Sequence, residues 1–235
     1  MNRLCALLLI LTAAAMGACK SSSTVYTSMD TTAGEIVLEL DRARAPISVD
    51  NFLMHSDHRD YDGSVFHRVV PGFVIQGGGF TPDLKERAKI AEAAGHRDPT
   101  IKNEWTNGLK NARGTIGMAR DAEPDTATRE FYINLADNTK LDGPRPTTGN
   151  AGYAVFGRVV KGMDVVDAIA RGETTNRPDI IVDGEGMKNV PVRPVMIKSV
   201  RVIRWPARPA GGALEHDPLP PPPSPSGGGQ SGRHP

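Results

Sequence analysis

Residues 65–80 read VFHRVVPGFVIQGGGF. The pattern predicts two short apolar strands, residues 65–70 and 73–76, joined by the turn pair Pro71-Gly72. Proline fixes φ and glycine permits positive φ, so this pair favours a sharp turn. Each strand carries one polar residue among apolar ones, Arg68 in the first and Gln76 in the second. With the aromatic residues Phe66, Phe73 and Phe80, the stretch predicts an apolar groove that holds two strong hydrogen-bonding groups.

Each part of this stretch also has a simpler interpretation. Taken alone, Arg68 is typical of a surface strand residue in a salt bridge, and Gln76 is typical of a solvated edge. The aromatic rings alone are typical of a core. The glycine run 77–79 does not predict a phosphate site, because no Lys-Ser/Thr pair follows it. Only the combination favours a groove with a function.

The run as a whole resembles the signature of the cyclophilin-type peptidyl-prolyl isomerases, in the form seen in bacterial members. Further blocks follow at family-like spacing: Asn103-Glu104, GLKNARGTIGM at 108–118, Ala119-Arg120, FYIN at 131–134 and GYAVFG at 152–157. Several ordered blocks are far more specific than a lone glycine motif. The resemblance covers roughly residues 25–204. It implies a mainly β fold, a closed eight-stranded antiparallel barrel capped by two α-helices.

The resemblance also implies the site residues. The catalytic residues are Arg68 beside the prolyl nitrogen, Phe73, and Gln76 on the substrate backbone. The substrate-binding residues are Phe73, Val74, Ala119, Arg120, Tyr132, Leu141 and Tyr153. Rotation about an amide bond needs no nucleophile, cofactor or metal, and none is expected. We therefore expect the guanidinium of Arg68 to lie over a hollow lined by residues 73, 132 and 141.

The sequence departs from the better-known family pattern at four places. Tyr132 stands where Phe is usual, and its hydroxyl must find a partner or water. Val74 is smaller than the frequent Met, and Glu130 replaces a common Gln with a negative charge near the groove. Lys140 falls where many members have an aromatic residue that binds cyclosporin. We therefore expect weak cyclosporin binding.

These residues predict a peptidyl-prolyl cis-trans isomerase that accelerates X-Pro bond rotation in envelope proteins and assists their folding. The alternative is a non-catalytic peptide-binding chaperone module on the same barrel, and the presence of Arg68, Phe73 and Gln76 together favours the enzyme. The expected partners are proline-containing polypeptides, and the expected state is a monomer. With 28 basic and 27 acidic residues, the chain lacks the basic field of a nucleic-acid binder.

The N-terminus predicts export. Residues 1–18 are typical of a signal peptide, with Arg3 before an apolar run at 4–16 that is shorter than the roughly 20 residues a membrane helix needs. The sequence MGAC at 16–19 resembles a lipoprotein lipobox, so residues 19–24 are interpreted as the lipidated Cys19 and a short tether. This predicts a cell-envelope location, anchored by the lipid and facing the periplasm or exterior. The alternative is a soluble periplasmic or secreted protein with an unmodified cysteine.

The pattern divides the rest of the chain into an isomerase domain at 25–204 and a tail at 205–235. The tail is rich in Pro, Gly and Ser and is predicted to be disordered; a polyproline ligand is the alternative.

Residues 81–102 are predicted to be an insertion with a helix at 84–94 ended by Gly95. We interpret it as a surface loop, the alternative being that it borders the groove. Strands are predicted at 25–31, 35–40, 114–118, 130–135, 153–160 and 195–203, and helices from Ala45-Pro46 and at 163–170.

The mass of the mature N-terminal peptide tests the lipidation of Cys19. We expect the mature chain to begin at Cys19 with the added mass of a lipid. A mature N-terminal peptide with an unmodified Cys19 would contradict lipidation and support ordinary secretion.

Overall fold

The computed structural model describes residues 24–95, 97–144, 146–182 and 184–205. Its strands are β1 Thr24–Thr31, β2 Gly34–Asp41, β3 Ser64–Val70, β4 Val74–Phe80, β5 Thr115–Met118, β6 Phe131–Asn134, β7 Val155–Lys161, β8 Thr174–Val182, β9 Glu185–Pro191 and β10 Met196–Ile203. Its α-helices are α1 Pro46–Asp57, α2 Arg87–Ala93 and α3 Met163–Ala170. Short 3₁₀ turns cover Thr139–Leu141 and Pro146–Thr148.

Eight of the strands close into a barrel in the order β1-β10-β3-β4-β6-β5-β7-β2. Every neighbouring pair in this ring is antiparallel. Closure leaves no free edge within the ring, so the backbone groups of its strands pair with each other. The expectation of a closed eight-stranded antiparallel barrel is confirmed.

The barrel core is filled by apolar side chains that alternate along its strands. Phe52 of α1 contacts the rings of Tyr61, Phe131 and Phe156 at centroid distances of 5.0, 5.7 and 5.4 Å. Val166 and Ile169 of α3 belong to the same buried cluster. The two predicted capping helices therefore contribute directly to the core.

A distant carboxylate caps helix α1. Ala45 makes no side-chain cap, and Pro46 occupies the first turn, where it has no backbone N–H to satisfy. Glu104 instead accepts hydrogen bonds from the backbone N–H groups of Ile47 and Ser48 at 3.0 and 2.8 Å. A negative charge at a helix N-terminus is favourable, so this contact fixes the loop after the insertion against α1.

Strand register places one row of residues on the outer face of the barrel wall. Arg68 pairs with Gln76, Gln76 with Tyr132, and Tyr132 with Gly117, across four adjacent strands. Directly paired residues point to the same side of a sheet. Their chain neighbours, such as Ile75 and Ile133, point into the core, so this row faces away from it.

The predicted turn at Pro71-Gly72 is confirmed. Gly72 adopts a φ of +72°, and the backbone N–H of Phe73 donates to the carbonyl of Val70 at 3.0 Å. The same turn brings Phe73 to the start of β4, next to Val74.

The predicted helix at 84–94 is shorter than expected, since it begins at Arg87. Leu84 is buried against Val65 and Phe80 with a φ of +60°, a conformation that a helix cannot include. A bridge between Phe80 and Glu86 then holds the chain extended. The left-handed Gly95, at φ +82°, follows the end of the helix as predicted.

The hairpin of β8 and β9 was not predicted from the sequence. It forms a separate two-stranded sheet, and Met187 and Val190 pack it against Val65 of the barrel. The pair Asp183-Gly184 was the available signal, because Asp-Gly between two strand-like runs is typical of a tight hairpin.

Several predictions lie outside the described residues: the signal peptide at 1–18, the lipidation of Cys19 with most of the tether at 19–24, and the tail from residue 206. The chain divides into a unit up to Ile203 and a second unit, Arg204–Pro235, of which the structure describes Arg204 and Trp205. Within the described residues, no helix combines the length and apolar character required to cross a bilayer.

Candidate functional site

A single cavity of about 220 Å³ brings together all the residues that the sequence implied as catalytic or substrate-binding. Val74, Tyr132 and Leu141 are buried and form an apolar cluster. Phe73, Ala119 and Tyr153 pack against that cluster. The cavity is lined by Arg68, Phe73, Val74, Gln76, Ala119, Arg120, Tyr132, Leu141 and Tyr153. Its volume is below the roughly 300–1,000 Å³ of sites for drug-sized ligands and suits one small ring.

Arg68 lines this cavity, and its guanidinium is held by a chain of hydrogen bonds. Its Nη1 donates to Oε1 of Gln76 at 3.2 Å, and Nε2 of Gln76 donates to Oε2 of Glu130 at 2.8 Å. Burial lowers the pKa of Arg68, because a desolvated cation is disfavoured. The cation is therefore partly removed from water and still oriented by fixed partners.

Glu130 completes this chain of hydrogen bonds, and it is a site residue that was not predicted from the sequence. Burial alone would raise the pKa of the Glu130 carboxyl, but the nearby His67 and the hydrogen bond from Gln76 hold it below its usual value. Oε2 of Glu130 lies 3.4 Å from Nε2 of the buried His67. A Cβ on residue 79 would lie 1.8 Å from Oε1 of Glu130, so Gly79 supplies the space that the carboxylate occupies.

The side chain of Arg120 builds the rim of the cavity. It donates to the backbone carbonyls of Asp121, Ala151 and Gly152 at 2.8, 3.0 and 2.9 Å. Its guanidinium carbon also lies 4.3 Å from the centre of the Tyr153 ring. Arg120, which the resemblance implied as a substrate-binding residue, therefore also joins two loops beside the cavity through its side chain.

The extra hydroxyl of Tyr132 has a buried partner. It donates to Oδ1 of Asn111 at 2.6 Å. A Cβ on residue 117 would lie 2.4 Å from this hydroxyl oxygen, so Gly117 makes room for the phenol. Burial raises the pKa of Tyr132 well above its usual value, so the hydroxyl stays protonated at neutral pH.

A second cavity of about 600 Å³ adjoins the first and shares Arg68, Gln76, Ala119 and Arg120 with it. The hairpin of β8 and β9 contributes residues 185–188 to its lining. Arg97 and Thr100 of the predicted insertion also line it. The insertion therefore borders the groove in addition to forming part of the surface.

A buried ion pair fixes this insertion to the barrel. Nη2 of Arg129 donates to Oδ1 of Asp98 at 2.6 Å, and Nε of Arg129 donates to the other carboxylate oxygen. The two side chains are only 4% and 10% exposed. The bridge between Ile101 and Ala127 adds a backbone contact nearby. Because Arg129 precedes Glu130 in sequence, the ion pair joins the insertion to the segment just before β6, whose Glu130 accepts the hydrogen bond from Gln76.

Comparison with known proteins gives one consistent family. Residues 26–202 match the family described as "Cyclophilin type peptidyl-prolyl cis-trans isomerase/CLD". The chain is 44% identical over 185 residues to peptidyl-prolyl cis-trans isomerase A of Dickeya dadantii, covering 78% of this chain and 87% of the relative. It is 48% identical over 175 residues to a peptidyl-prolyl cis-trans isomerase of Acinetobacter baylyi, covering 74% and 83%. It is 44% identical over 169 residues to peptidyl-prolyl cis-trans isomerase B of Escherichia coli, covering 72% and 94%.

Solved structures agree on the fold. A cyclophilin-type isomerase of Cryptosporidium parvum superposes with a TM-score of 0.59 at 21% identity, covering 78% of this chain and 99% of the other. A second structure of that protein, determined in the presence of the dipeptide Ala-Pro, gives a TM-score of 0.58.

The ion pair between Asp98 and Arg129 predicts an acid-sensitive contribution to stability. Burial would raise the pKa of Asp98, but Arg129 holds it below its ordinary value of 3.8. A folded-state pKa below the unfolded one stabilises the protein above the unfolded pKa, and this stability is lost as pH falls through the folded value. We expect Asp98→Asn to lower the free energy of unfolding at pH 7 by about 3 kcal/mol, because it leaves Arg129 buried without its counter-charge.

Urea unfolding at pH 7 and at steps below pH 4 measures both effects. Asp98→Asn should lose less stability on acidification than the wild type. Asp179→Asn is the matched control, since Asp179 pairs with Arg177 on an exposed part of the hairpin, and we expect little change from it. Equal stability of wild type and Asp98→Asn at pH 7 would contradict the predicted role of the pair.

Proposed function

The chain belongs to the cyclophilin-type peptidyl-prolyl cis-trans isomerase family. We propose that it accelerates X-Pro bond rotation and that Arg68 is the group that stabilises the twisted amide. The observation that supports this assignment is the geometry of Arg68. Its guanidinium is partly buried and is oriented by Gln76, and Arg68 lines the same cavity as Phe73, Tyr132 and Leu141.

The energetic demand of the reaction is moderate. Amide resonance creates a rotation barrier of about 18–20 kcal/mol. Uncatalysed exchange of an X-Pro bond takes roughly tens to hundreds of seconds. Acceleration to milliseconds is a factor on the order of 10⁴ to 10⁵, which requires roughly 5–7 kcal/mol of preferential stabilisation of the transition state.

A guanidinium beside the prolyl nitrogen supplies a stabilisation of the required kind. As the amide twists, resonance is lost and the nitrogen regains a lone pair. A cationic donor binds this lone pair better than it binds the planar amide, so the interaction strengthens in the transition state. Partial removal of Arg68 from water increases the strength of such a charged hydrogen bond.

The other residues of the cavity hold the substrate. The apolar cluster of Val74, Tyr132 and Leu141 binds the proline ring and anchors one side of the rotating bond. Gln76 and the main chain beside Arg120 bind the peptide backbone. The adjoining cavity of about 600 Å³ leaves space for flanking substrate residues. The ring is thus fixed while the residue preceding it rotates.

For location, we propose that the enzyme acts in the cell envelope, held by a lipid on Cys19 and facing the periplasm or exterior. The lipobox-like MGAC at 16–19 supports this proposal. The first strand begins at Thr24, and a few residues at about 3.5 Å each span at most about 20 Å. A domain on such a tether works close to the membrane surface, as a monomer with folding envelope proteins as its substrates.

The role of Arg68 predicts a large loss of activity in Arg68→Ala. We expect kcat/KM for an X-Pro peptide to fall by about 100-fold or more, mainly through kcat, because the lost interaction forms in the transition state. The measurement is isomerisation of a proline peptide followed by protease-coupled absorbance or NMR exchange.

Arg158→Ala is the control for the Arg68 experiment, because Arg158 forms an exposed ion pair with Glu39 on the barrel surface. We expect its activity to equal that of the wild type. Wild-type activity in Arg68→Ala would overturn the proposed mechanism. Equal, uncatalysed rates for wild type and Arg68→Ala would favour a peptide-binding module.

Lys140 predicts weak cyclosporin binding. Its exposed side chain stands next to Leu141, at the position where many family members have an aromatic residue that binds the drug. We expect a dissociation constant above about 1 μM for the wild type and tighter binding by Lys140→Trp, with peptide isomerisation unchanged. Calorimetric titration measures both affinities, and a sub-micromolar wild-type value would show the prediction wrong.

A further inference from the structure

The buried side chain of Asn111 joins three separate parts of the cavity wall. Its Oδ1 accepts from the hydroxyl of Tyr132 at 2.6 Å, and its Nδ2 donates to the carboxylate of Asp142 at 3.0 Å and to the carbonyl of Tyr153 at 3.3 Å. Asp142 follows Leu141 in sequence. Asn111 is only 1% exposed and does not itself line the cavity.

The chemistry of these partners fixes the orientation of the Asn111 amide. A carboxylate and a backbone carbonyl only accept hydrogen bonds, so the NH₂ group must face Asp142 and Tyr153. The amide oxygen must then face Tyr132, whose protonated hydroxyl donates to it. A second donor, Nδ2 of Asn134, reaches the same oxygen at 3.2 Å. Each polar atom of the side chain therefore has a partner of the correct kind.

The main chain of Asn111 strengthens the same connection. Its N–H donates to Oδ1 of Asp142 at 2.8 Å, and its carbonyl accepts from the N–H of Asn138 at 2.7 Å. The carbonyl of Leu141 accepts from the N–H of Tyr153 at 2.8 Å. One buried residue thus fixes the Tyr132 phenol relative to the loop that carries Leu141 and to the start of the segment at Tyr153.

We propose that Asn111 is a positioning residue that sets the shape of the cavity for the five-membered proline ring. The inference rests on the proposed function, because it requires the ring to bind among Tyr132, Leu141 and Tyr153. Loss of the Asn111 side chain leaves the Tyr132 hydroxyl buried without its acceptor and removes the side-chain hydrogen bond to Asp142, while the bond from the main-chain N–H of residue 111 remains. The walls of the cavity can then move apart. The cavity therefore binds the proline ring more weakly and discriminates less against larger rings.

The experiment compares two peptides that are identical except for proline or its six-membered-ring homologue, pipecolic acid. For Asn111→Ala we expect kcat/KM on the proline peptide to fall by about 10-fold, the equivalent of one buried hydrogen bond. The loss should come mainly through a higher KM, since Arg68 is untouched. The ratio of kcat/KM for the proline peptide over the pipecolate peptide should fall by about threefold or more. A pocket distinguishes two rings that differ by one methylene group only while its walls are fixed.

The ratio is the decisive readout because the fraction of folded enzyme cancels from it. Ser56→Ala is the matched control: it removes another buried hydrogen bond, from Ser56 to the carbonyl of Val200, and should leave KM and the ratio unchanged. If Asn111→Ala does not fold, Asn111→Ser is measured in the same way with the same expectation. An unchanged KM and an unchanged ratio in an active variant would overturn the inference, whereas absence of catalysis by the wild type on both peptides would overturn the proposed function instead.

Discussion

A partly buried cation must be held by partners that the fold fixes in place, and the pairing of Arg68 with Gln76 meets this requirement. The two residues are direct neighbours on adjacent antiparallel strands, so their side chains share one face and meet at 3.2 Å. Glu130 orients Gln76 in turn, because an ionised carboxylate only accepts hydrogen bonds and therefore selects the NH₂ group of Gln76. Gly79 provides the space for that carboxylate. The direction of the Arg68 guanidinium is thus a consequence of strand register.

The barrel supplies a rigid platform for this arrangement. The strands β3, β4 and β6 carry core residues on one face and site residues on the other, as Ile133 and Tyr132 illustrate on β6. The interior side chains pack around Phe52 and Phe131, and movement of one strand relative to the next would disrupt both faces together. Stability and function therefore depend on the same hydrogen-bond register between strands. Segments outside the strands add Leu141 and Tyr153 to the cavity.

Segments outside the barrel define the surroundings of the site. The hairpin of β8 and β9 packs through Met187 and Val190, and its end reaches the cavity beside Arg68. Asp98 joins the insertion to Arg129, the residue before Glu130. Both segments are held by contacts that are buried or apolar, so they form fixed walls beside the groove.

The sequence predicts the elements with strong local signals, because alternation, the Pro71-Gly72 turn and the family blocks are encoded within a few residues. It also predicted the residues that line the cavity, through their positions in those blocks or, for Leu141, through the family resemblance as a whole. It could not determine that Glu104 caps a helix more than fifty residues earlier in the chain, that Glu130 orients Gln76, or that Asn111 meets Tyr132, Asp142 and Tyr153. Those contacts join residues far apart along the chain, and only closure of the barrel brings them within hydrogen-bonding distance. The helix start at Arg87 has the same origin, since burial of Leu84 against the barrel outweighed local helix preference.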